Sequence, residues 1–206
     1  VSEFVLLGLS NSWGLQLFFF AIFSIVYVTS VLGNVLIIVI ISFDSHLNSP
    51  MYFLLSNLSF IDICQSNFAT PKMLVDFFIE RKTISFEGCM AQIFLFHVFA
   101  GGEMVLLVAM AYDIYVAICK PLLYPAIMTN GLCIRLLILS YVGGILHALI
   151  HEGFLFRLTF CNSNIVHHIY CDTIPLSKIS CTDSSINFLM VFIFSGSIQV
   201  FSIVTI

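Results

Sequence analysis

The stretch LQLFFFAIFSIVYVTSVLGNVLIIVIISF, residues 15–43, decides the fold of this chain because it contains no charged side chain. An α-helix needs about 20 apolar residues to cross the roughly 30 Å of hydrocarbon in a bilayer. Strands of a membrane barrel would instead show segments of about 10 residues that alternate between apolar and polar side chains. This run is continuous and longer, so it predicts a transmembrane helix.

Four more apolar runs follow the first one. Together they predict five helices, at about residues 15–43, 50–76, 88–119, 132–154 and 184–206. The connections are short except for a polar loop at about 155–183, and loops of that length in compact proteins are usually functional. We therefore predict an all-α, multi-pass transmembrane helical bundle that forms a single domain over residues 1–206.

The composition agrees with a lipid environment and excludes some classes of partner. The 206 residues are 60% hydrophobic and 9% charged, whereas soluble domains carry roughly 25% charged residues. The net charge is −4, and the sequence has no long run of Lys and Arg. A nucleic-acid partner is therefore not expected.

The sequence lacks the motifs of common enzymes. It contains no phosphate-binding loop, catalytic triad or HExxH motif, so we predict that the chain is not an enzyme. His147 and His151, one helical turn apart, and residues 168–172 contain side chains that can bind zinc. A disulfide at Cys171 would remove its thiolate, and we predict no metal site in either place.

Two patterns disagree about the orientation of the bundle. Basic residues in short loops mark the cytoplasmic side. The side of the bundle that holds the N-terminus carries most of them, namely Lys72, Arg81, Lys82, Arg157 and Lys178. This rule therefore favours a cytoplasmic N-terminus. The same side also carries four cysteines, namely Cys89, Cys161, Cys171 and Cys181. Such a set is typical of a disulfide framework, which needs an oxidising compartment. We follow the cysteines and predict an extracellular N-terminus.

Two long motifs carry a resemblance to a known family. The second predicted helix begins PMYFLLSNLSFID, residues 50–62, and the third ends MAYDIYVAICKPL, residues 110–122, while Gly33 and Asn34 lie in the first. In sequence and separation these motifs resemble those of the odorant (olfactory) receptors, which are rhodopsin-like class A G-protein-coupled receptors. The resemblance covers the whole chain.

The resemblance implies a fold, a location and partners. It implies a bundle of seven helices at the plasma membrane, of which this chain holds the first five, so we expect a receptor truncated after its fifth helix. The complete form would bind a small, volatile, mostly apolar odorant in the outer half of the bundle. It would also couple to a heterotrimeric G protein. Ligand binding would act through different affinities for two helix arrangements.

The resemblance places the odorant pocket beside the outer half of the third helix. Phe96, His97, Ala100 and Gly101 lie there, and the glycine pair that begins at Gly101 leaves room for a ligand. A single histidine on an apolar face is more often a hydrogen-bonded core residue than a ligand contact. We nevertheless predict these four residues, together with Thr173 of the long loop, as ligand contacts.

The end of the third helix departs from the family at one position. Asp113 and Tyr115 flank Ile114, where the resemblance implies an arginine that pairs with the aspartate in the resting state. Ile114 cannot form this pair. Together with the missing sixth and seventh helices, this departure argues against G-protein coupling by this chain.

The resemblance also implies disulfides. A bond between Cys89 and Cys171 would tie the third helix to the long loop. We predict a second bond between Cys161 and Cys181, which would close a loop of about 20 residues within the long loop.

Asp62 and Glu103 reach comparable depth inside the predicted helices. Ionisable residues at such depth are costly and usually face the bundle interior. Two neighbouring carboxylates repel each other unless one is protonated or a cation lies between them. The resemblance implies a sodium ion at this place, and a neutral hydrogen-bonded carboxyl pair is the alternative. A different class of function, a small ion or proton transporter or channel, would use the same two residues as a relay.

Overall fold

The computed structural model describes residues 3–8, 12–160, 164–182 and 185–205, without the side chains of residues 198, 199, 201, 202, 204 and 205. The helices are α1 (Trp13–Phe43), α2 (Pro50–Asp76), α3 (Phe86–Cys119), α4 (Tyr124–Ile127), α5 (Asn130–Leu155), α6 (Thr173–Lys178) and α7 (Ser185–Thr205). Three short strands are β1 (Glu3–Leu6), β2 (Thr83–Ser85) and β3 (Ile165–Val166), and two turns of 3-10 helix span Ser45–Leu47 and Pro121–Leu123. The predicted all-α transmembrane bundle is confirmed.

Side chains at the start of three long helices explain where these helices begin. Pro50 is the first residue of α2, where its missing N–H group costs no hydrogen bond. The Ser85 hydroxyl accepts a hydrogen bond from Gly88 N at 3.1 Å before α3, and the Thr129 hydroxyl accepts one from Leu132 N at 3.3 Å before α5. These bonds satisfy N–H groups that the first turn of a helix leaves unpaired.

The surface of the bundle is apolar. By length and composition, α1, α3 and α5 can cross a membrane, and Ser185–Ser197 of α7 forms a shorter apolar helix. None of the residues of α1 is buried, and this helix exposes large apolar side chains that include Phe18, Ile25 and Leu32. A helix that is apolar on all sides is stable inside a protein core or in lipid, but not in water. The chain is therefore a membrane protein.

The central helix is α3, which packs against α2 and α5 and also contacts α7. Its contact with α5 is close because glycines face each other. A Cβ atom added at Gly101 would lie 3.1 Å from Gly144 Cα, and one added at Gly144 would lie 2.8 Å from Gly102 N. Small residues allow membrane helices to approach each other in this way. The glycines thus fix the distance between α3 and α5.

A small sheet covers one end of the bundle. Its strand order is β2-β1-β3, with β1 antiparallel to β2 and parallel to β3. We call the three strands and α6 the cap. Its apolar side chains share a core with α3 and the end of α5, and the buried members are Phe4, Leu6, Ile84, Cys89, Met90, Ile93, Leu155, Leu158, Val166, Cys171 and Leu176. Residues 155–183, predicted only as a loop, therefore contribute β3 and α6 to the cap.

The cap brings the N-terminal strand and the long loop to the same end of the bundle. Val5 N donates a hydrogen bond to Asn164 O at 2.8 Å. An exposed ion pair joins Arg81 to Glu3 at 3.0 Å, although pairs of this kind contribute at most about 1 kcal/mol to stability. The backbone bonds of the sheet are therefore the main polar link between these distant parts of the sequence.

Candidate functional site

One disulfide holds the cap onto α3. Cys89, in the first turn of α3, is bonded to Cys171, and their Cα atoms are 5.4 Å apart. Gln92 adds a second link, because its side-chain oxygen accepts a hydrogen bond from Cys171 N at 3.0 Å and its amide donates to Phe68 O at 3.2 Å. The bond between Cys89 and Cys171 implied by the resemblance is therefore present. Gln92, which the sequence did not single out, connects α2, α3 and the long loop.

The second predicted bond falls partly outside the described residues. Cys181 is disulfide-bonded, but Cys161, its predicted partner, lies outside the described residues. Cys181 N also donates a hydrogen bond to Thr159 O at 2.9 Å, and the hydroxyl oxygens of Thr159 and Thr182 are 2.7 Å apart. The two ends of the long loop are thus held next to each other. The free cysteines of the described chain are Cys64, Cys119 and Cys133.

Three histidines form a cluster between α3 and α5. His97 and His151 are buried, and His147 lies one turn before His151 on α5. The ring centroids of His97 and His151 are 4.5 Å apart with 29° between the ring planes, and those of His147 and His151 are 4.4 Å apart. The Nε2 atoms of His147 and His151 are hydrogen-bonded at 3.1 Å. The sequence suggested His147 and His151 as a pair but did not connect them to His97.

The histidine cluster is not arranged as a metal site. Within the described ranges, no group of three or more His, Cys, Asp and Glu side chains has the arrangement needed to hold a metal ion. The ring of His97 stacks on that of His151 instead. In the long loop, Cys171 is part of a disulfide and has no thiolate to offer.

The predicted ligand residues of α3 have different surroundings. Phe96 is exposed, Ala100 is half-buried and His97 is buried. Gly101 is buried against α5, where a Cβ atom added to it would lie 3.1 Å from His147 Nδ1. The expectation of free room beside Gly101 was therefore wrong. A glycine in a membrane helix can serve close helix packing as well as a cavity, and the sequence does not distinguish the two.

Thr173, the predicted ligand contact in the long loop, is the first residue of α6 and only 3% exposed. Its hydroxyl group has no hydrogen-bond partner, which is uncommon for a buried polar group. The preceding residue, Asp172, accepts a hydrogen bond from Thr173 N at 2.7 Å. The charge of Asp172 also acts on His97. The start of α6 therefore lies within electrostatic reach of the histidine cluster.

At the opposite end of α3, Asp113 is buried and accepts a hydrogen bond from the Tyr124 hydroxyl of α4 at 2.9 Å. Burial, and next the hydrogen bond to Asp113, raise the pKa of Tyr124 to about 12. Ile114 and Tyr115 are both exposed. Asp113 thus has a neutral phenol as its partner, which the sequence did not predict.

Asp62 of α2 and Glu103 of α3 are both half-buried. Their neighbours Ile61 and Leu106 pack together in one apolar cluster, which places the two carboxylates at a similar level of the bundle. The charge of Asp62 acts on Glu103. Among the described residues, neither carboxylate has a hydrogen-bond partner. The two groups are therefore close enough to repel each other when both are ionised.

The sequence is similar to known receptors over its whole length. A family profile described as "Olfactory receptor" matches residues 23–206. Human olfactory receptor 4K1 is 72% identical over 184 residues, which make up 89% of this chain and 59% of that protein. Human olfactory receptor 5H1 is 67% identical over 100% of this chain and 66% of that protein. Mouse olfactory receptor 5H19 is 58% identical over 100% of this chain and 67% of that protein.

The comparisons decide between the classes of function that the sequence left open. The chain spans 59% and 66% of the length of the two human relatives. All three relatives are receptors by name, so the transporter alternative has no support and the prediction that the chain is not an enzyme is confirmed. Both long motifs lie inside the matched region. The chain belongs to the olfactory receptor family, a branch of the rhodopsin-like G-protein-coupled receptors.

Proposed function

We propose that the chain acts in an odorant receptor that binds a small, volatile, mostly apolar molecule beneath the cap. The observation that carries this proposal is the arrangement of buried groups at that end of α3. An apolar core, held in place by the bond between Cys89 and Cys171, lies beside the buried polar side chains of His97 and Thr173. Ligand sites combine an apolar lining with a few polar groups that orient the ligand.

The proposed ligand contacts are Phe96, His97, Ala100 and Thr173. Gly101 is left out of this set because it serves the contact between α3 and α5. Binding of an odorant would be driven by burial of its apolar surface, which contributes about 25 cal/mol per Å². The polar groups would then set orientation and selectivity.

The proposed partner at the opposite end of α3 is a heterotrimeric G protein. A ligand changes signalling only if it binds one helix arrangement more tightly than another. His97 and Asp113 lie on the same helix, about 24 Å apart along its axis, so α3 connects the two ends. Ile114 stands next to Asp113 where the family has a cationic arginine, and we therefore propose that this sequence couples weakly to a G protein.

A sodium ion between Asp62 and Glu103 also remains a proposal. It is supported by the two half-buried carboxylates, which lack hydrogen-bond partners within the described residues. Carboxylate oxygens suit hard cations. Sodium should then raise the unfolding temperature of the chain, and Asp62→Asn should remove that effect. Equal sodium dependence in the variant would leave the neutral carboxyl pair as the explanation.

We propose that the receptor lies in the plasma membrane with the N-terminus and the cap outside the cell. The disulfide between Cys89 and Cys171 supports this orientation, because such bonds persist in oxidising compartments. An epitope tag ahead of Val1 should be stained on intact cells, whereas a tag within residues 42–49 should not. The reverse pattern would show that the basic residues, not the cysteines, determine the orientation.

Direct binding tests the proposed function. The chain would be placed in lipid nanodiscs and exposed to a broad panel of volatile molecules, with bound ligand measured by mass spectrometry. We expect saturable binding of at least one compound, weakened by Phe96→Ala or Ala100→Trp. Phe18→Ala, in the exposed surface of α1, is the matched control. Absence of saturable binding across the panel, or equal loss in the control, would contradict the proposal.

A further inference from the structure

The hydrogen bonds of the histidine cluster determine which ring nitrogens carry a proton. His97 Nδ1 lies 2.8 Å from Ile93 O, and His147 Nδ1 lies 3.3 Å from His97 O. A carbonyl oxygen only accepts hydrogen bonds, so both Nδ1 atoms must carry hydrogen. In a neutral imidazole the other nitrogen, Nε2, then holds a free lone pair. We assign these tautomers from the bonding pattern.

Among the described residues, only one of these two lone pairs is used. His147 Nε2 accepts a hydrogen bond from His151 Nε2 at 3.1 Å. His97 Nε2 has no hydrogen-bond partner among the described residues. His97 as a whole is only 7% exposed, and its Nε2 atom is not among the fully enclosed unpaired atoms of the described residues. The outer part of α3 therefore presents a hydrogen-bond acceptor that lacks a donor.

A second unpaired polar group lies in the cap. The Thr173 hydroxyl is buried and without a partner, and it can donate as well as accept. Cys171, two residues earlier, is bonded to Cys89, which precedes His97 by about 12 Å along α3. The charge of Asp172 also acts on His97. The disulfide thus ties the cap segment that carries Thr173 to the helix that carries His97.

We infer that this part of the site selects ligands with a neutral hydroxyl group at the end of an apolar chain, namely aliphatic alcohols. This inference rests on the proposed odorant-binding function. The alcohol hydrogen would be donated to His97 Nε2, and the alcohol oxygen would accept from Thr173 Oγ1. An ether or aldehyde of the same size only accepts hydrogen bonds, so it would leave His97 Nε2 unpaired. A fatty acid would arrive as an anion, which the charge of Asp172 disfavours.

Two isomers provide the test, because 1-heptanol and 1-methoxyhexane have the same atoms and differ in the presence of a donor. Their dissociation constants would be measured on the chain in nanodiscs. We expect 1-heptanol to bind about tenfold more tightly, which corresponds to one net hydrogen bond. His97→Phe should remove this difference by weakening 1-heptanol alone. His46→Phe, an exposed histidine at the opposite end of the bundle, should leave it unchanged.

A second variant and a spectroscopic measurement guard against misfolding of the His97 variant. Thr173→Val should weaken 1-heptanol and 1-methoxyhexane alike, because the oxygen of either compound can accept from Thr173 Oγ1, and it should leave the preference for 1-heptanol in place. In the unsubstituted chain, the ¹⁵N spectrum of labelled histidine should show His97 Nε2 without hydrogen, and its signal should shift when 1-heptanol binds. A protonated Nε2 in His97 would overturn the inference.

The possible outcomes separate the inference from the proposed function. If both isomers bind and the ether binds as tightly as the alcohol, the inference fails while odorant binding stands. Tighter binding of 1-aminoheptane than of 1-heptanol would assign selectivity to Asp172 and also overturn the inference. If neither isomer nor any other volatile molecule binds, both the inference and the proposed function fail.

Discussion

The Tyr124 hydroxyl donates a hydrogen bond of 2.9 Å to Asp113 Oδ1 and so joins α4 to the end of α3. Asp113 is only 2% exposed. Burial of a carboxylate is costly unless a charged or hydrogen-bonding group compensates it. With Ile114 beside it, Asp113 lacks the cation that other members of the family are expected to have there. Tyr124 therefore provides the compensating contact.

Removal of this contact should destabilise the chain. Tyr124→Phe leaves the buried carboxylate without its partner, and we expect a loss of about 1–3 kcal/mol in the free energy of unfolding. The free energy of unfolding of the variant and of the unsubstituted chain would be measured in nanodiscs. Tyr115→Phe removes a hydroxyl from an exposed tyrosine on α3, the helix of Asp113, and should have no effect. Equal stability of the two variants would show that Asp113 does not depend on Tyr124.

The same contact should be visible in a pH titration. The pKa of Tyr124 is raised to about 12, against about 10 for an unperturbed tyrosine. Because the folded-state pKa is the higher one, stabilisation from the phenol is fully present below about pH 10 and is lost as the pH rises through about 12. Phenolate absorbance, compared between the unsubstituted chain and Tyr124→Phe, should reveal one late-titrating tyrosine. Titration of that tyrosine near pH 10 would contradict the assignment.

Ile114→Arg should strengthen coupling to a G protein. An arginine would restore a cation next to Asp113, and charge-assisted hydrogen bonds are about twice as strong as neutral ones. The test joins this chain to the part of human olfactory receptor 5H1 that lies outside the matched region. We expect odorant-evoked cAMP to rise several-fold. Ile118→Arg, at another exposed position of α3, is the control, and an equal rise in that variant would point to surface charge alone.

The bond between Cys161 and Cys181 can be tested by chemistry. Cys181 is disulfide-bonded, and we predict Cys161 as its partner. Digestion of the unreduced chain, followed by mass spectrometry, should yield one peptide pair that contains Cys161 and Cys181 and another that contains Cys89 and Cys171. Recovery of Cys161 joined to Cys171 would overturn both assignments.

The long helices were predictable because each is encoded by a long, largely apolar run of residues. Residues 15–43 carry no charge, and the structure has α1 over Trp13–Phe43. The cap was not predictable in this way. Its strands have only two to four residues, which is too short for an alternating pattern, and β1 pairs with segments far away in the sequence. Such pairing depends on tertiary contacts that local patterns do not record.

The site was only partly predictable for a similar reason. The resemblance pointed to His97 and Thr173, and both are buried polar residues. The spacing of His147 and His151 suggested that they share a helix face, but their contact with His97 depends on how closely α3 approaches α5. That approach depends on Gly101 and Gly144, and a glycine in a sequence does not reveal whether it makes room for a ligand or for another helix.

Gly144 should therefore be among the positions of α5 least tolerant of substitution. A Cβ atom added at this residue would overlap Val98 O and lie 2.8 Å from Gly102 N and 3.2 Å from Gly102 Cα. All three are backbone atoms, which cannot rotate away as the end of a side chain can. Gly144→Ala should thus force α3 and α5 apart and cost about 3 kcal/mol, the upper end of the usual range for overpacking.

Gly153→Ala is the matched control for this substitution. Gly153 lies on the same helix, and a Cβ atom added there would meet nothing within 4 Å. Alanine has the higher helix propensity, so this variant should be unchanged or more stable by up to about 1 kcal/mol. The free energy of unfolding would be measured for both variants in nanodiscs. The ¹⁵N signals of His97 and His147 should change only in Gly144→Ala, because these two rings lie at the contact between α3 and α5 that this substitution would open. Equal stability and unchanged histidine signals in both variants would mean that α3 and α5 do not approach each other at Gly144.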